Sequence, residues 1–210
     1  MPTKPSHGVS QILKWKFQEN KLPEAWARHL GVLPQRWHIY IDGDGGHGKT
    51  EYSMQLSKML ATNFGKVHLN NVEQAKHPQI QESAARNGFA DIPAGKFMYS
   101  VFSDFEAYRN KLRKRNSGRV QIIDSISYFP LSTKQVQELI EEFKYKCFVF
   151  VAYKAHFNTN KPIAHLCDIK VRVEDFKATS SSRFGGNEEY VIWNKPKKMS
   201  AQLSLLNGQN

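Results

Sequence analysis

The chain has 210 residues, 40% of them hydrophobic and 12% aromatic, enough for one domain to bury a core without disulfides or a structural metal. No run approaches the roughly 18 apolar residues of a membrane-spanning helix, and the polar start Met1-Pro2-Thr3-Lys4-Pro5-Ser6 lacks the apolar stretch of a secretory signal, so a soluble cytoplasmic protein is expected. Thirty Lys and Arg against nineteen Asp and Glu leave a formal charge of +11, which favours a polyanionic partner, nucleic acid first.

In chain order, residues 11 to 30 place Ile12, Leu13, Trp15, Phe17, Leu22, Trp26 and Leu30 among charged residues, with Pro23 breaking any single helix. They predict a helical lead-in or docking segment within residues 1–34, ahead of a main domain over 35–198 and a flexible tail over 199–210. Arg36 to Asp42 predicts a strand running into a glycine-rich turn, and Lys49 to Asn63 carries Met54, Leu56, Met59 and Leu60 at helical spacing. Lys66 to Asn70 predicts a second strand, and Gln79 to Asn87 a helix stopped by Gly88. Phe97 to Phe102 reads as a strand, followed by a helix from Ser103, whose hydroxyl suits an N-cap. Val120 to Asp124 reads as a short buried strand, Ser132 to Phe143 as a helix, and Cys147 to Val151 as a strand apolar on both faces. Ile169 to Val173 and Tyr190 to Trp193 predict late strands around the turn signal Gly185-Gly186-Asn187. The alternation predicts an α/β fold with a mostly parallel central sheet flanked by helices. Cys147 and Cys167 lie in apolar stretches without zinc or redox spacing and read as buried, reduced thiols.

Gly43-Asp44-Gly45-Gly46-His47-Gly48-Lys49-Thr50 is a phosphate-loop motif, set directly after a strand and before a helix. Glycines let backbone N–H groups reach phosphate oxygens, and the helix N-terminus that continues through Glu51 adds a favourable dipole. Lys49 supplies a point charge to the β- and γ-phosphates and Thr50 a hydroxyl ligand to Mg²⁺, so ATP with Mg²⁺ is the expected ligand. Asp44 and His47 occupy variable positions, and His47 is expected to contribute its backbone rather than its ring. Gly43, Gly45 and Gly48 also satisfy the dinucleotide fingerprint. The Lys49-Thr50 pair, and Asn70-Asn71 where a ribose-binding acid belongs, decide against that alternative.

Hydrolysis also needs a second metal anchor and a group that orients water. Asp124, at the end of the apolar strand Val120-Gln121-Ile122-Ile123, suits the anchor. Ile123-Asp124-Ser125 together with Asn71-Val72-Glu73-Gln74-Ala75 resembles the RecA, DnaB and KaiC superfamily of P-loop ATPases. That resemblance implies a RecA-like fold over about residues 35 to 198, with a C-terminal β-hairpin. It implies ATP hydrolysis to ADP and phosphate with Glu73 as the water-activating base, because Ser125 stands where AAA+ proteins place their acid. Ala164 to Val171 resembles the superfamily's segment in which an Asp, here Asp168, precedes a strand. Ser182-Arg183-Phe184-Gly185-Gly186 through Asn194-Lys195 resembles its closing hairpin, making Arg183 and Lys195 candidates to act on the nucleotide of a neighbouring subunit in a homo-oligomer. The sequence departs from the pattern after Val151. Ala152-Tyr153-Lys154-Ala155-His156 stands where many relatives place a γ-phosphate-sensing Gln, with His156 or Lys154 as possible substitutes.

Arg109, Lys111, Arg113, Lys114, Arg115 and Arg119 crowd one short stretch, which reads equally as a DNA-binding patch or as a solvated face at a helix C-terminus. The leading expectation is therefore a DNA-associated ATPase of recombination, repair or replication. The alternatives are a regulatory or scaffolding ATPase in which DNA plays no part and, last, a small-molecule kinase, for which no arginine-rich lid is visible.

Overall fold

The computed structural model describes residues 6–193. Lys195 and the expected tail over 199–210 lie outside those residues. Among the described residues eight strands form one sheet: β1 (His38–Gly43), β2 (Val67–Asn71), β3 (Phe97–Ser100), β4 (Val120–Asp124), β5 (Cys147–Tyr153), β6 (Ile169–Glu174), β7 (Lys177–Ser182) and β8 (Tyr190–Val191). Their order is β3-β2-β4-β5-β1-β6-β7-β8. Strands β3 through β6 are parallel, and β7 and β8 close the edge antiparallel. All C-terminal ends of the parallel strands therefore share one edge of the sheet, where α/β proteins bind ligands.

Both faces are covered, which explains the continuous apolarity of the central strands. One face carries Ile39, Ile41, Val149 and Val151 against α2 (Glu24–Leu30) and α3 (Lys49–Asn63). The other carries Tyr40, Phe148 and Phe150 against α5 (Phe105–Arg113), α6 (Thr133–Glu142) and α7 (Phe157–His165). Helix α4 (Pro78–Arg86) follows β2 in the chain and packs against α3, and α1 (Val9–Ile12) is exposed throughout. Trp26, Leu30 and Leu33 of the lead-in are buried in the same core as β1. No helix of the described residues is long and apolar enough to cross a membrane. Cys147 and Cys167 are free and buried.

Several elements differ from the sequence expectation. The helix expected from Ser103 starts at Phe105, and Asp104 rather than Ser103 caps it by accepting from the Ala107 N–H at 2.7 Å. Strand β3 ends at Ser100 because the Asn70 side chain takes the Phe102 N–H at 2.7 Å and donates to the Phe102 carbonyl at 2.9 Å, pulling the chain out of the ladder. Strand β7 and helix α7 had no expected counterpart. Strand β7 is held by its register with β6 and by Ser180 and Ser182, whose hydroxyls donate to the His29 and Leu30 carbonyls, respectively.

Candidate functional site

Strand β1 delivers the phosphate loop to the C-terminal edge of the sheet. Gly43 is there because β6 runs too close for a side chain: a Cβ would stand 2.3 Å from the Val173 carbonyl oxygen. Gly48 enters α3 with φ of 97°, a left-handed conformation suited to glycine, and Phe176 covers its Cα side. The loop is braced by the β6–β7 turn. The His47 ring accepts the Asp175 N–H at 2.9 Å and the His47 carbonyl accepts the Phe176 N–H at 3.1 Å. His47 thus uses its ring after all, as a structural acceptor.

Lys49 is almost fully buried. Its Nζ donates to the Asp44 carbonyl at 2.7 Å across the loop and lies 4.3 Å from the centre of the Tyr153 ring. Burial pulls the ammonium's pKa down, and the carboxylates of Glu73, Asp124, Asp44 and Asp42 pull it back up. A cation kept from water in this way gains most from a phosphate.

Asp124, from the end of β4, is buried against the same loop, and neither of its carboxylate oxygens has a hydrogen-bond partner. Ser125 Oγ beside it is likewise unpartnered. Burial first, then the Glu73 carboxylate, push Asp124 up to about 7. Lys49 and the nearby Thr50 hydroxyl draw it down, the latter without a well-aligned hydrogen bond. Buried, unsatisfied acceptors beside a helix-terminal hydroxyl fit a hard cation. Among the described residues no group of three or more His, Cys, Asp or Glu forms a metal cage. Mg²⁺ carried on nucleotide phosphates needs none, since one or two protein oxygens and water complete its shell.

Glu73 reaches this cluster from the turn after β2, and the Tyr153 hydroxyl donates to its Oε1. Tyr153 is the residue that sequence reasoning missed. It ends β5, beside β1, and so faces the loop where a Gln was sought. Of the two substitutes, Lys154 stands 3.5 Å from the Asp44 carboxylate, while the exposed His156 lies against Ser127 at 3.4 Å.

Other expected site residues stand elsewhere. Glu51 turns its carboxylate to α4, accepting from Ser83, Arg86 and Asn87 at 2.7 Å each. Arg183 follows β7, whose end pairs with the start of β6, so it stands at the opposite edge of the sheet from the phosphate loop. There it lies 3.5 Å from Asp168. Asp168 itself accepts the His38 N–H at 2.9 Å and ties the starts of β1 and β6 together. In the basic stretch, Arg109 and Arg113 share the Glu142 carboxylate, at 2.6 and 2.7 Å, and Arg109 also lies 3.5 and 3.6 Å from Glu106 and Glu138, which offsets charge in the expected DNA patch.

The structure is similar to that of the flagellar accessory protein FlaH from Methanocaldococcus jannaschii, at 13% identity with a TM-score of 0.63, covering 86% of this chain and 96% of that one. A KaiC-like protein from Pyrococcus horikoshii OT3 gives 15% identity and a TM-score of 0.62, covering 83% and 93%. The fold is accordingly RecA- and KaiC-like, with a mostly parallel central sheet flanked by helices and an antiparallel edge. No protein-family model and no curated protein matches the sequence. Within the RecA-like fold, the loop after β1, the end of β4 and the turn after β2 meet at one edge, and here those positions hold Lys49 and Thr50, Asp124, and Glu73.

Proposed function

We propose that this protein binds ATP with Mg²⁺ on the phosphate loop, hydrolyses it, and uses the bound state as a switch that controls assembly. The observation that carries the reading is the meeting of Lys49, Thr50, Glu73 and Asp124 at the C-terminal edge of the sheet. Backbone N–H groups of Gly45 to Thr50 and the Lys49 ammonium hold the β- and γ-phosphates. Thr50 and Asp124 would hold Mg²⁺, which would neutralise negative charge developing on the phosphates. Tyr153 occupies Glu73 Oε1, which leaves Oε2 to accept a proton from the attacking water and orient it in line.

An accessory role for one similar structure and a KaiC-like description for the other support regulation over mechanical work on DNA. DNA work through Arg109, Lys111, Arg113, Lys114 and Arg115 draws less support, because Glu106, Glu138 and Glu142 already offset the charge of Arg109 and Arg113. The test combines calorimetry, phosphate release and sedimentation. Wild type should bind ATP with Mg²⁺ and change its sedimentation between ATP and ADP. Lys49→Ala should lose binding, and Glu73→Gln should bind ATP and hold it unhydrolysed in the ATP-dependent assembly. Absence of binding by wild type, or full turnover by Glu73→Gln, removes the reading.

A further inference from the structure

The edge opposite the phosphate loop carries a second charged feature. Four adjacent strands, in the spatial order β2, β4, β5 and β1, are each preceded by a cation: Lys66, Arg119, Lys146 and Arg36. At about 4.8 Å between strands, the row spans about 14 Å. Arg115 and Lys144 flank it, and together the six line a groove of about 680 Å³ that no Asp or Glu lines.

Among the described residues none of these six forms an ion pair, whereas Arg28, Lys58, Arg86, Arg109, Arg113, Lys154, Lys177 and Arg183 each do. Three of the groove's cations are fixed instead by neutral acceptors. Arg36 donates to the Ile140 carbonyl at 2.8 Å, Arg119 to the Gln35 carbonyl at 2.7 Å, and Lys146 to Ser117 Oγ and the Gly118 carbonyl at 2.7 and 2.6 Å. Such bonds orient a charge without cancelling it. Burial also pulls Lys146 down to about 8, the mark of an ammonium whose neighbourhood offers no compensating anion. On the rim, Tyr145 is 78% exposed.

From this arrangement we infer that the groove binds the phosphodiester backbone of single-stranded nucleic acid, with Tyr145 stacking on an unpaired base. A row of oriented cations matches a strand of evenly repeated charges, and it is too long for one phosphate group. An exposed aromatic side chain adds affinity where bases are unstacked and reachable. Duplex bases are not. The groove shares Arg115 and Arg119 with the basic stretch read from the sequence but not Arg109, Lys111, Arg113 or Lys114, and the inference rests on the groove alone, although it gives the nucleotide switch a partner.

The test is fluorescence anisotropy with a labelled oligothymidylate and no nucleotide. Binding should saturate and weaken between about 50 and 200 mM salt, with a log–log slope of about −4 if all six cations engage a single strand. The exposed pair Arg115→Glu/Lys144→Glu should weaken it about ten-fold or more and flatten the slope. Tyr145→Ala should weaken oligothymidylate but leave the slope unchanged. The charge-matched control Lys134→Glu/Lys161→Glu, on surfaces away from the groove, should bind as wild type. Lys49→Ala should also bind as wild type, which separates this surface from the ATP site. No saturable binding at low salt, or an equal loss in the control pair, overturns the inference. Equal competition by polyglutamate also overturns it and assigns the groove to an acidic protein segment.

Discussion

Tyr153 hydrogen-bonds Glu73 across the mouth of the phosphate loop, joining the end of β5 to the turn after β2. The same ring lies against the Lys49 ammonium, so one side chain touches both the cation proposed to hold phosphate and the proposed base. Tyr153→Phe keeps the ring and deletes the hydroxyl. A hydrogen bond to a charged group contributes about 1.5–3 kcal/mol, so kcat should fall roughly ten-fold or more with ATP affinity unchanged. A matching loss of affinity in calorimetry would show that the tyrosine holds nucleotide rather than the base.

Asp124 is held against its own chemistry, as a buried carboxylate with both oxygens unpartnered. Such a group costs folding free energy unless a ligand satisfies it. Asp124→Asn should therefore melt at the same temperature as wild type or higher without ligand, yet lose the extra stabilisation that ATP gives with Mg²⁺. A ligand-free melting temperature several degrees lower would make Asp124 a structural residue.

His68 gives the fold a weak point in acid. Gln121 Oε1 can only accept, so His68 Nδ1 carries the proton at 2.9 Å, while Nε2 lies 2.7 Å from the Ser100 hydroxyl, which itself donates to Asn70 Oδ1 at 2.8 Å. Burial lowers the ring to about 4 from 6.5. Because the folded value is the lower one, the unfolded chain binds the proton first as pH falls. The stability is fully present above 6.5 and is lost between 6.5 and 4, on the order of 3 kcal/mol for this ring. Urea unfolding at pH 7 and pH 4.5 should show the loss, and His68→Gln should shrink it. An unchanged pH dependence in that variant would place the acid sensitivity elsewhere.

Arg183 stands at the sheet edge remote from its own phosphate loop, so any part it plays in hydrolysis must be on another copy. Arg183→Ala alone should lose turnover, and mixing it with Lys49→Ala should restore some, because intact loops then meet intact arginines. If the mixture stays inactive, Arg183 serves only its contact with Asp168.

The elements most legible in the sequence are those whose own residues decide them. Helix α3 runs from Lys49 to Asn63 as its spacing predicts, and β4 from Val120 to Asp124. Strand β5 reads as covered on both faces because Phe148 and Phe150 alternate with Val149 and Val151 between the two cores. Strand β7 was illegible because Thr179-Ser180-Ser181-Ser182 carries no apolar alternation, and only Ala178 is fully buried. Helix α7 was hidden by Asn158, Thr159, Asn160 and an internal Pro162. In the site, the motif residues could be found because adjacent positions carry them. Tyr153 could not, since its place depends on β5 lying beside β1. The cations before β1, β2, β4 and β5 are dispersed from Arg36 to Lys146, and only parallel register assembles them.

Strands β1, β4 and β5 each have a foot in both camps. At their tops are the loop with Lys49, then Asp124, then Tyr153; at their bases are Arg36, Arg119 and Lys146. A five-residue strand is about 17 Å long, too short and too tightly flanked to absorb much displacement by bending. If triphosphate changes grip at the base, thermodynamic reciprocity requires that a strand lodged at the base change triphosphate affinity by the same factor.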